Sequence, residues 1–216
     1  MEVVNIGASH SVASQFLLEL RDKEIQQDRM RFRKNAERLG NIMAYEISRK
    51  LNYVAAEIQT PLKEHTQHVL EQQPVLIAIM RAGIPYFQGF QGFFDQSDSG
   101  FIGAYRQEGG AGIRVKMDYL AAPAIADKTV ILIDPMLATG KSALDSITEL
   151  LKQGVPRHLH IAALVAAPEG IDYLQKNIKT SATLWTFAID DKLNSQFYIV
   201  PGLGDAGDLS FGQKVG

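Results

Sequence analysis

The chain contains no cysteine. This absence excludes disulfide frameworks, thiolate nucleophiles and cysteine-ligated zinc sites. The chain also lacks an excess of positive charge, because 22 basic residues stand against 24 acidic ones and the formal net charge is -2. Nucleic acid and anionic membrane surfaces attract strongly basic proteins, so we expect neither as a partner. Any phosphate binding should therefore be local.

Long apolar runs are absent as well. None approaches the roughly 18 residues that span a membrane, and residues 1–5 lack the basic and then apolar pattern of a secretory signal. We therefore expect a cytoplasmic protein. The 216 residues are 46% hydrophobic, which suffices for a sizeable core but is short for two full domains. The sequence thus predicts a single domain over residues 1–216.

Apolar residues recur every three to four positions between Asp28 and Leu51, which predicts an amphipathic helix. The same spacing predicts a second helix from Ser142 to Gln153, followed by Gly154 and Pro156 as a stop. Short continuous apolar runs, typical of strands covered on both faces, occur at Val75–Met80, Phe101–Tyr105, Thr129–Ile133, His160–Ala167 and Ala182–Ile189. This alternation predicts an α/β fold with a mostly parallel sheet flanked by helices.

Two glycine-rich stretches do not fit this alternation. Gln107–Gly112 holds three glycines in six positions and is interpreted as a mobile loop. The last 27 residues are also rich in glycine and show little periodicity. Their apolar start at Phe197–Val200 favours a functional loop that the rest of the fold holds, rather than a disordered tail.

The segment from Asp134 to Ser142 joins a buried strand to a helix through a tight loop. Such a loop presents backbone N–H groups and a positive helix end, which together bind phosphate. Thr139 and Ser142 add hydroxyl donors, and Gly140 lets the backbone approach closely. The carboxylate of Asp134 is suited instead to accept hydrogen bonds from sugar hydroxyls. The pattern therefore favours a sugar phosphate.

A nucleotide-triphosphatase P-loop is one alternative, because Gly140, Lys141 and Ser142 supply the end of its signature. The first glycine of that signature falls on Pro135, which has no N–H to offer and cannot take a positive φ. An ordinary turn without a ligand is the other alternative.

The segment Asp134–Gly140 with Ser142 resembles the ribose-phosphate motif of the uracil phosphoribosyltransferases. Further matches follow in the family's order along nearly the whole chain: Leu20–Lys23, Ala44–Glu46, Met80–Gly83, Gly103–Arg106, Leu164–Gly170, Tyr198–Asp208 and Phe211–Gly212. The eleven residues from Tyr198 to Asp208 form the most specific of them.

This resemblance implies a type I phosphoribosyltransferase-like fold with N-terminal helices and a C-terminal base-binding loop region. It implies a pentosyl transferase of pyrimidine salvage, in which 5-phosphoribosyl 1-diphosphate (PRPP) and uracil give UMP and pyrophosphate with Mg²⁺. The metal is expected to arrive with PRPP and has no directly assigned protein ligand. The family forms dimers or larger assemblies, so a homodimer or homotetramer is expected.

The resemblance also implies roles for individual residues. Arg81 and Arg106 would contact the diphosphate, and Arg106 and Asp205 would be catalytic. The remaining PRPP-binding residues would be Asp134, Pro135, Met136, Leu137, Ala138, Thr139, Gly140, Lys141, Ser142 and Asp205. The uracil-binding residues would be Ile199, Gly204, Asp205 and Ala206. Residue chemistry supports these roles, because guanidinium groups pair with diphosphate and glycine-rich backbone can match the edge of a flat base.

Two departures from the family pattern leave alternatives open. Lys141 stands where the family usually has glycine, and Gln107–Gly112 replaces a more acidic loop. A regulatory or binding protein that has lost turnover is one alternative, and a transferase for another base on the same fold is a second. His65 and His68, at helical spacing, are interpreted as solvated rather than as metal ligands, and Trp185 as a core residue.

Overall fold

The computed structural model describes the backbone of residues 1–107 and 114–214, with side chains except at 104–107 and 114–118. The first half contains β1 (Glu2–Asn5), α1 (Val12–Arg21), α2 (Arg29–Ser48), β2 (Tyr53–Gln59), β3 (Glu64–Leu70), β4 (Val75–Met80), α3 (Gly83–Gln91), β5 (Ser99–Gln107) and β6 (Arg114–Ala121). The second half contains β7 (Thr129–Ile133), β8 (Met136–Leu137), α4 (Lys141–Leu151), β9 (His158–Ala162), β10 (Val165–Ala166), α5 (Pro168–Asn177), β11 (Ala182–Thr186), β12 (Ala188–Ile189), β13 (Lys192–Leu193), β14 (Ile199–Val200) and α6 (Ala206–Phe211).

A seven-stranded sheet forms the centre of the fold, in the order β1-β11-β9-β7-β4-β5-β6. Every neighbouring pair is parallel except β5 with β6. The predicted mostly parallel sheet is therefore confirmed. No helix in the described part of the chain is both long and apolar enough to cross a membrane.

Each face of this sheet packs against its own helices, because successive side chains of a strand point to opposite faces. On one face Leu76 and Ile131 belong to a core that includes Met43 of α2 and Tyr86 of α3. On the other face the core joins alternate strand residues to the helices α4 and α5. Burial on both faces explains why the strands are continuous apolar runs rather than alternating ones.

The predicted helices are confirmed with shifted ends. α2 begins at Arg29 because Asp28 caps it, accepting a hydrogen bond from the backbone nitrogen of Arg31 at 3.0 Å. It ends at Ser48 rather than at Leu51, and α4 covers residues 141–151 rather than 142–153. The predicted strands at 75–80 and 129–133 agree with β4 and β7, and the one at 101–105 lies within β5.

Two predicted strands have the wrong extent, because each of them corresponds to two separate strands in the structure. The run from His160 to Ala167 begins earlier, at His158, and breaks between β9 and β10, and the run from Ala182 to Ile189 breaks at Phe187. At these breaks the chain leaves the central sheet. β10 then pairs with β8 and β12 in a separate three-stranded parallel sheet.

His65 and His68 lie on β3, which pairs with β2 in an exposed antiparallel hairpin. The helical spacing assumed for them is therefore wrong, since residues three apart on a strand point to opposite faces. Both side chains are exposed.

Trp185 is buried, as predicted, and its Nε1 donates to Nδ1 of His160 at 3.0 Å. Burial lowers the pKa of His160 to about 3, so its imidazole is neutral and accepts this hydrogen bond.

Candidate functional site

A cleft of about 240 Å³ opens at the carboxyl edge of the central sheet, beyond the ends of β4 and β7. Open parallel sheets bind ligands at this edge, where loops from several strands meet. Its lining comes from three segments: 79–82 at the end of β4, 134–143 after β7 apart from Pro135 and Lys141, and 197–199, 204–207 and Lys214 from the C-terminal region.

The turn before α4 depends on Gly140. This residue has a φ of +76°, which side-chain-bearing residues rarely adopt. A Cβ here would also lie 2.8 Å from the carbonyl oxygen of Gly170. Glycine thus lets the turn pack closely against α5 and begins α4 at the cleft, where the free N–H groups of its first turn are suited to bind an anion.

Most residues of the predicted phosphate segment line the cleft. They are Asp134, Met136, Leu137, Ala138, Thr139, Gly140 and Ser142. Pro135 does not line it; its carbonyl oxygen accepts from the backbone nitrogens of Leu164 at 2.9 Å and Val165 at 3.2 Å, which ties the turn to β10. Lys141 is exposed outside the cleft lining.

Arg81 lines the cleft and forms an ion pair with Asp208 of α6, with 3.0 Å between Nη2 and Oδ1. Both guanidinium Nη atoms also lie 3.4 Å from the carbonyl oxygen of Gly212, and Nε is buried without a hydrogen-bond partner among the described residues. The side chain of Arg106 lies outside the described residues, as does most of the predicted mobile loop, and both assignments stay predictions.

The C-terminal segment folds back onto the cleft. The predicted base-contacting residues Ile199, Gly204, Asp205 and Ala206 all line it, in the same cavity as Thr139. Asp205 caps α6, because its Oδ1 accepts from the backbone nitrogen of Asp208 at 2.9 Å. The glycine-rich end is thus a segment held by the fold, which comprises the hairpin β13–β14 and α6.

Several lining residues were not assigned from the sequence, among them Phe197, Tyr198, Gly207 and Lys214. Phe197 is unusual because it has a φ of +63°, which is rare for a bulky residue. The side chain of Asn194 stabilises this turn by accepting from the backbone nitrogens of Gln196 and Tyr198, both at 2.9 Å. An asparagine before a turn is a usable signal, whereas nothing in the sequence marks Phe197.

Lys141→Gly is expected to change PRPP affinity by less than about fivefold, because an exposed ammonium contributes under about 1 kcal/mol to a nearby charge. Glycine at the first position of α4 also costs about 1 kcal/mol of helix stability. Isothermal titration with PRPP and Mg²⁺ measures the affinity, with Lys152→Gly at the other end of α4 as the control. Complete loss of binding would contradict a peripheral role for Lys141.

Comparison with known proteins gives the family. The family model described as "Uracil phosphoribosyltransferase" matches residues 7–213. The chain belongs to the uracil phosphoribosyltransferase family. Its α/β fold, a mostly parallel sheet flanked by helices, agrees with the prediction from the sequence.

Individual relatives of this family cover most or all of the chain. A uracil phosphoribosyltransferase from Porphyromonas gingivalis is 44% identical over 216 residues, which is 100% of both chains. One from Lactococcus lactis subsp. lactis is 41% identical over 187 residues, 85% of this chain and 87% of the relative. Among solved structures, the AQ2163 protein from Aquifex aeolicus superposes with a TM-score of 0.88 at 27% identity, covering 99% of this chain and 100% of the other.

Proposed function

We propose that this member of the uracil phosphoribosyltransferase family transfers the phosphoribosyl group of PRPP to uracil, giving UMP and pyrophosphate. The observation that carries the proposal is the cleft itself. The turn at Thr139 and Gly140, which we propose binds phosphate, lines the same cavity as the glycine-rich segment around Gly204. A sugar phosphate and a flat base must meet in such a place if a bond is to form between them.

The donor half of the cleft is suited to PRPP. The turn before α4 offers N–H groups and the hydroxyls of Thr139 and Ser142 to the 5-phosphate. The carboxylate of Asp134, which lines the same cleft, would accept hydrogen bonds from ribose hydroxyls. Arg81, with Arg106, would pair with the diphosphate through charge-assisted hydrogen bonds, each worth about 1.5–3 kcal/mol.

The acceptor half is suited to a small base. Gly204 has a φ of +88° and little around it, with the nearest heavy atom to an added Cβ 3.6 Å away. The backbone is therefore accessible, and its N–H and C=O groups can match the alternating carbonyls and N–H groups of uracil. Ile199 lines the same side with an apolar surface for the base.

Catalysis would depend mainly on charge. As the bond to pyrophosphate breaks, positive character develops on the ribose and negative charge on the leaving group. Asp205 uses Oδ1 to cap α6, while its Oδ2 has no hydrogen-bond partner among the described residues. That second oxygen would orient the reacting sugar or a water, and the arginines would stabilise the departing anion.

Magnesium is part of the proposal. In the described part of the chain no three His, Asp or Glu residues gather as a metal-binding group. The cleft nevertheless offers hard oxygen groups at Asp134 and Asp205, which fits an ion held mainly by the oxygens of PRPP. When bound, the ion would neutralise charge on the diphosphate.

A homodimer or homotetramer also stays a prediction. The exposed hairpin β2–β3 supports it, because a two-stranded hairpin is marginally stable alone. This hairpin carries the exposed apolar side chains of Tyr53, Val54, Ile58 and Val69, and a second subunit would cover them. The cytoplasmic location stays a prediction too.

Pyrophosphate release tests the function directly. Purified protein is mixed with PRPP and Mg²⁺ and, separately, with uracil, cytosine, hypoxanthine or orotate. We expect pyrophosphate to be released only when uracil is the base, together with formation of UMP. Release with another base would support a transferase of different specificity, and no release with any base would support a binding or regulatory protein.

A further inference from the structure

Arg21, the last residue of α1, forms a two-pronged ion pair with Asp190, which follows β12. Nη1 donates to Oδ2 at 2.9 Å and Nη2 to Oδ1 at 2.7 Å. The Asp190 side chain is only 5% exposed, and that of Arg21 is 22% exposed. Paired guanidinium–carboxylate contacts of this kind fix orientation as well as distance.

Both members of the pair also hold the backbone of Gly202. Arg21 Nη1 donates to the carbonyl oxygen of Gly202 at 2.8 Å, and the backbone nitrogen of Gly202 donates to Asp190 Oδ2 at 2.9 Å. Gly202 has a φ of +62°, and an added Cβ would collide with the carbonyl oxygen of Ile199. The ion pair therefore fixes both the N–H and the C=O group of Gly202, a position where a residue with a side chain does not fit.

Gly202 lies between two parts of the cleft lining. Ile199 precedes it by three residues, and Gly204 to Ala206 begin two residues after it. Arg21 and Asp190 do not line the cleft. After Gly202, Leu203 and Ala206 are buried in the core, and the exposed Gly204 and Asp205 lie between them in sequence. The backbone orientation at Gly202 therefore also determines the orientation of Gly204 and Asp205.

We infer that Arg21 and Asp190 are positioning residues for base recognition. Their ion pair orders the backbone from Gly202 to Ala206, so that its groups meet the acceptor base in one geometry. This inference rests on the proposed function. The side chains of Arg21 and Asp190 donate and accept no hydrogen bond at the turn from Asp134 to Ser142, so we expect binding of the donor 5-phosphate to be independent of the pair.

The test compares two Michaelis constants. Arg21→Met is expected to raise the KM for uracil by about tenfold or more, the loss associated with one charge-assisted hydrogen bond. The KM for PRPP should stay within about twofold. Arg21→Lys, which keeps the charge and one donor, should recover part of the uracil affinity. Arg31→Met is the matched control, because it breaks another arginine ion pair of α1, that of Glu19 with the half-exposed Arg31 of α2, away from Gly202.

A second variant covers the risk that Arg21→Met fails to fold with Asp190 unpaired. The double variant Arg21→Met, Asp190→Asn removes both charges but keeps an acceptor for Gly202. Faster amide hydrogen exchange at residues 202–206, with a selective rise in the KM for uracil, would support the inference. Equal rises in both constants, or unchanged exchange, would overturn it. Wild-type protein that makes no UMP would contradict the proposed function, and the exchange measurement would then decide the inference alone.

Discussion

Asp205→Asn is expected to lower kcat for UMP synthesis by about a hundredfold or more, while PRPP affinity changes by less than about threefold. Asparagine caps helices about as well as aspartate. The hydrogen bond that Asp205 Oδ1 accepts from the Asp208 nitrogen should therefore persist, and α6 should keep its place. The substitution thus removes charge at the proposed reacting centre and little else.

Steady-state kinetics and calorimetric titration of PRPP with Mg²⁺ separate the two effects. Asp95→Asn provides the matched control, because Asp95 is an exposed residue outside the cleft lining. Equal losses in turnover and donor affinity would show that Asp205 acts in binding rather than at the reacting centre. Asp205→Ala is less informative, since loss of the cap costs about 1 kcal/mol and would disturb α6.

The sequence is sufficient where local pattern and tertiary environment agree. β4 and β7 are buried on both faces, so their runs of six and four apolar residues identify them without reference to the rest of the chain. The same holds for α2, where the apolar spacing and the cap at Asp28 agree. The prediction wrongly extends the strands through β10 and β12, because both segments stay apolar after leaving the central sheet.

The hairpin β2–β3 cannot be recognised in the same way. Its residues are almost all exposed, so neither strand shows the alternation that a half-buried strand requires. The helical placement assumed for His65 and His68 is wrong for this reason, whereas their exposure agrees with their interpretation as solvated. Backbone pairing of β2 with β3 holds this element, and hydrophobic patterning does not report backbone pairing.

The cleft likewise has one part that the sequence predicts and one part that it does not. The turn from Asp134 to Ser142 is contiguous in sequence, so neighbouring residues alone indicate its chemistry. The contact between Arg21 and Asp190 joins residues 169 positions apart, and no local pattern connects them. The partner of Arg81 is not predictable for the same reason, since Asp208 lies 127 positions away on α6.

Because Arg81 contacts Asp208, substitutions of these two residues are expected to change the KM for PRPP in opposite directions. Arg81→Met should raise the KM for PRPP about tenfold to a hundredfold, because it removes one proposed charge-assisted contact to the diphosphate. Asp208→Asn should lower that KM, because the carboxylate competes with the diphosphate for the same guanidinium. Both side chains are about one-third exposed, so the pair is worth under about 1 kcal/mol and the gain should not exceed about fivefold.

The sign of the Asp208→Asn effect is the decisive result. The KM for PRPP is measured at saturating uracil, and thermal unfolding is measured in parallel. The second measurement is needed because loss of an acidic residue in the first turn of α6 costs about 0.3–1 kcal/mol of stability. Together they distinguish release of Arg81 from its ion pair from destabilisation of α6. Glu46→Gln is the control, because it breaks a comparable exposed pair between Glu46 of α2 and Arg49, the residue after α2, outside the cleft lining. An increase in KM would mean that Asp208 holds Arg81 in its binding position, and the ion pair would then belong to the donor site rather than compete with it.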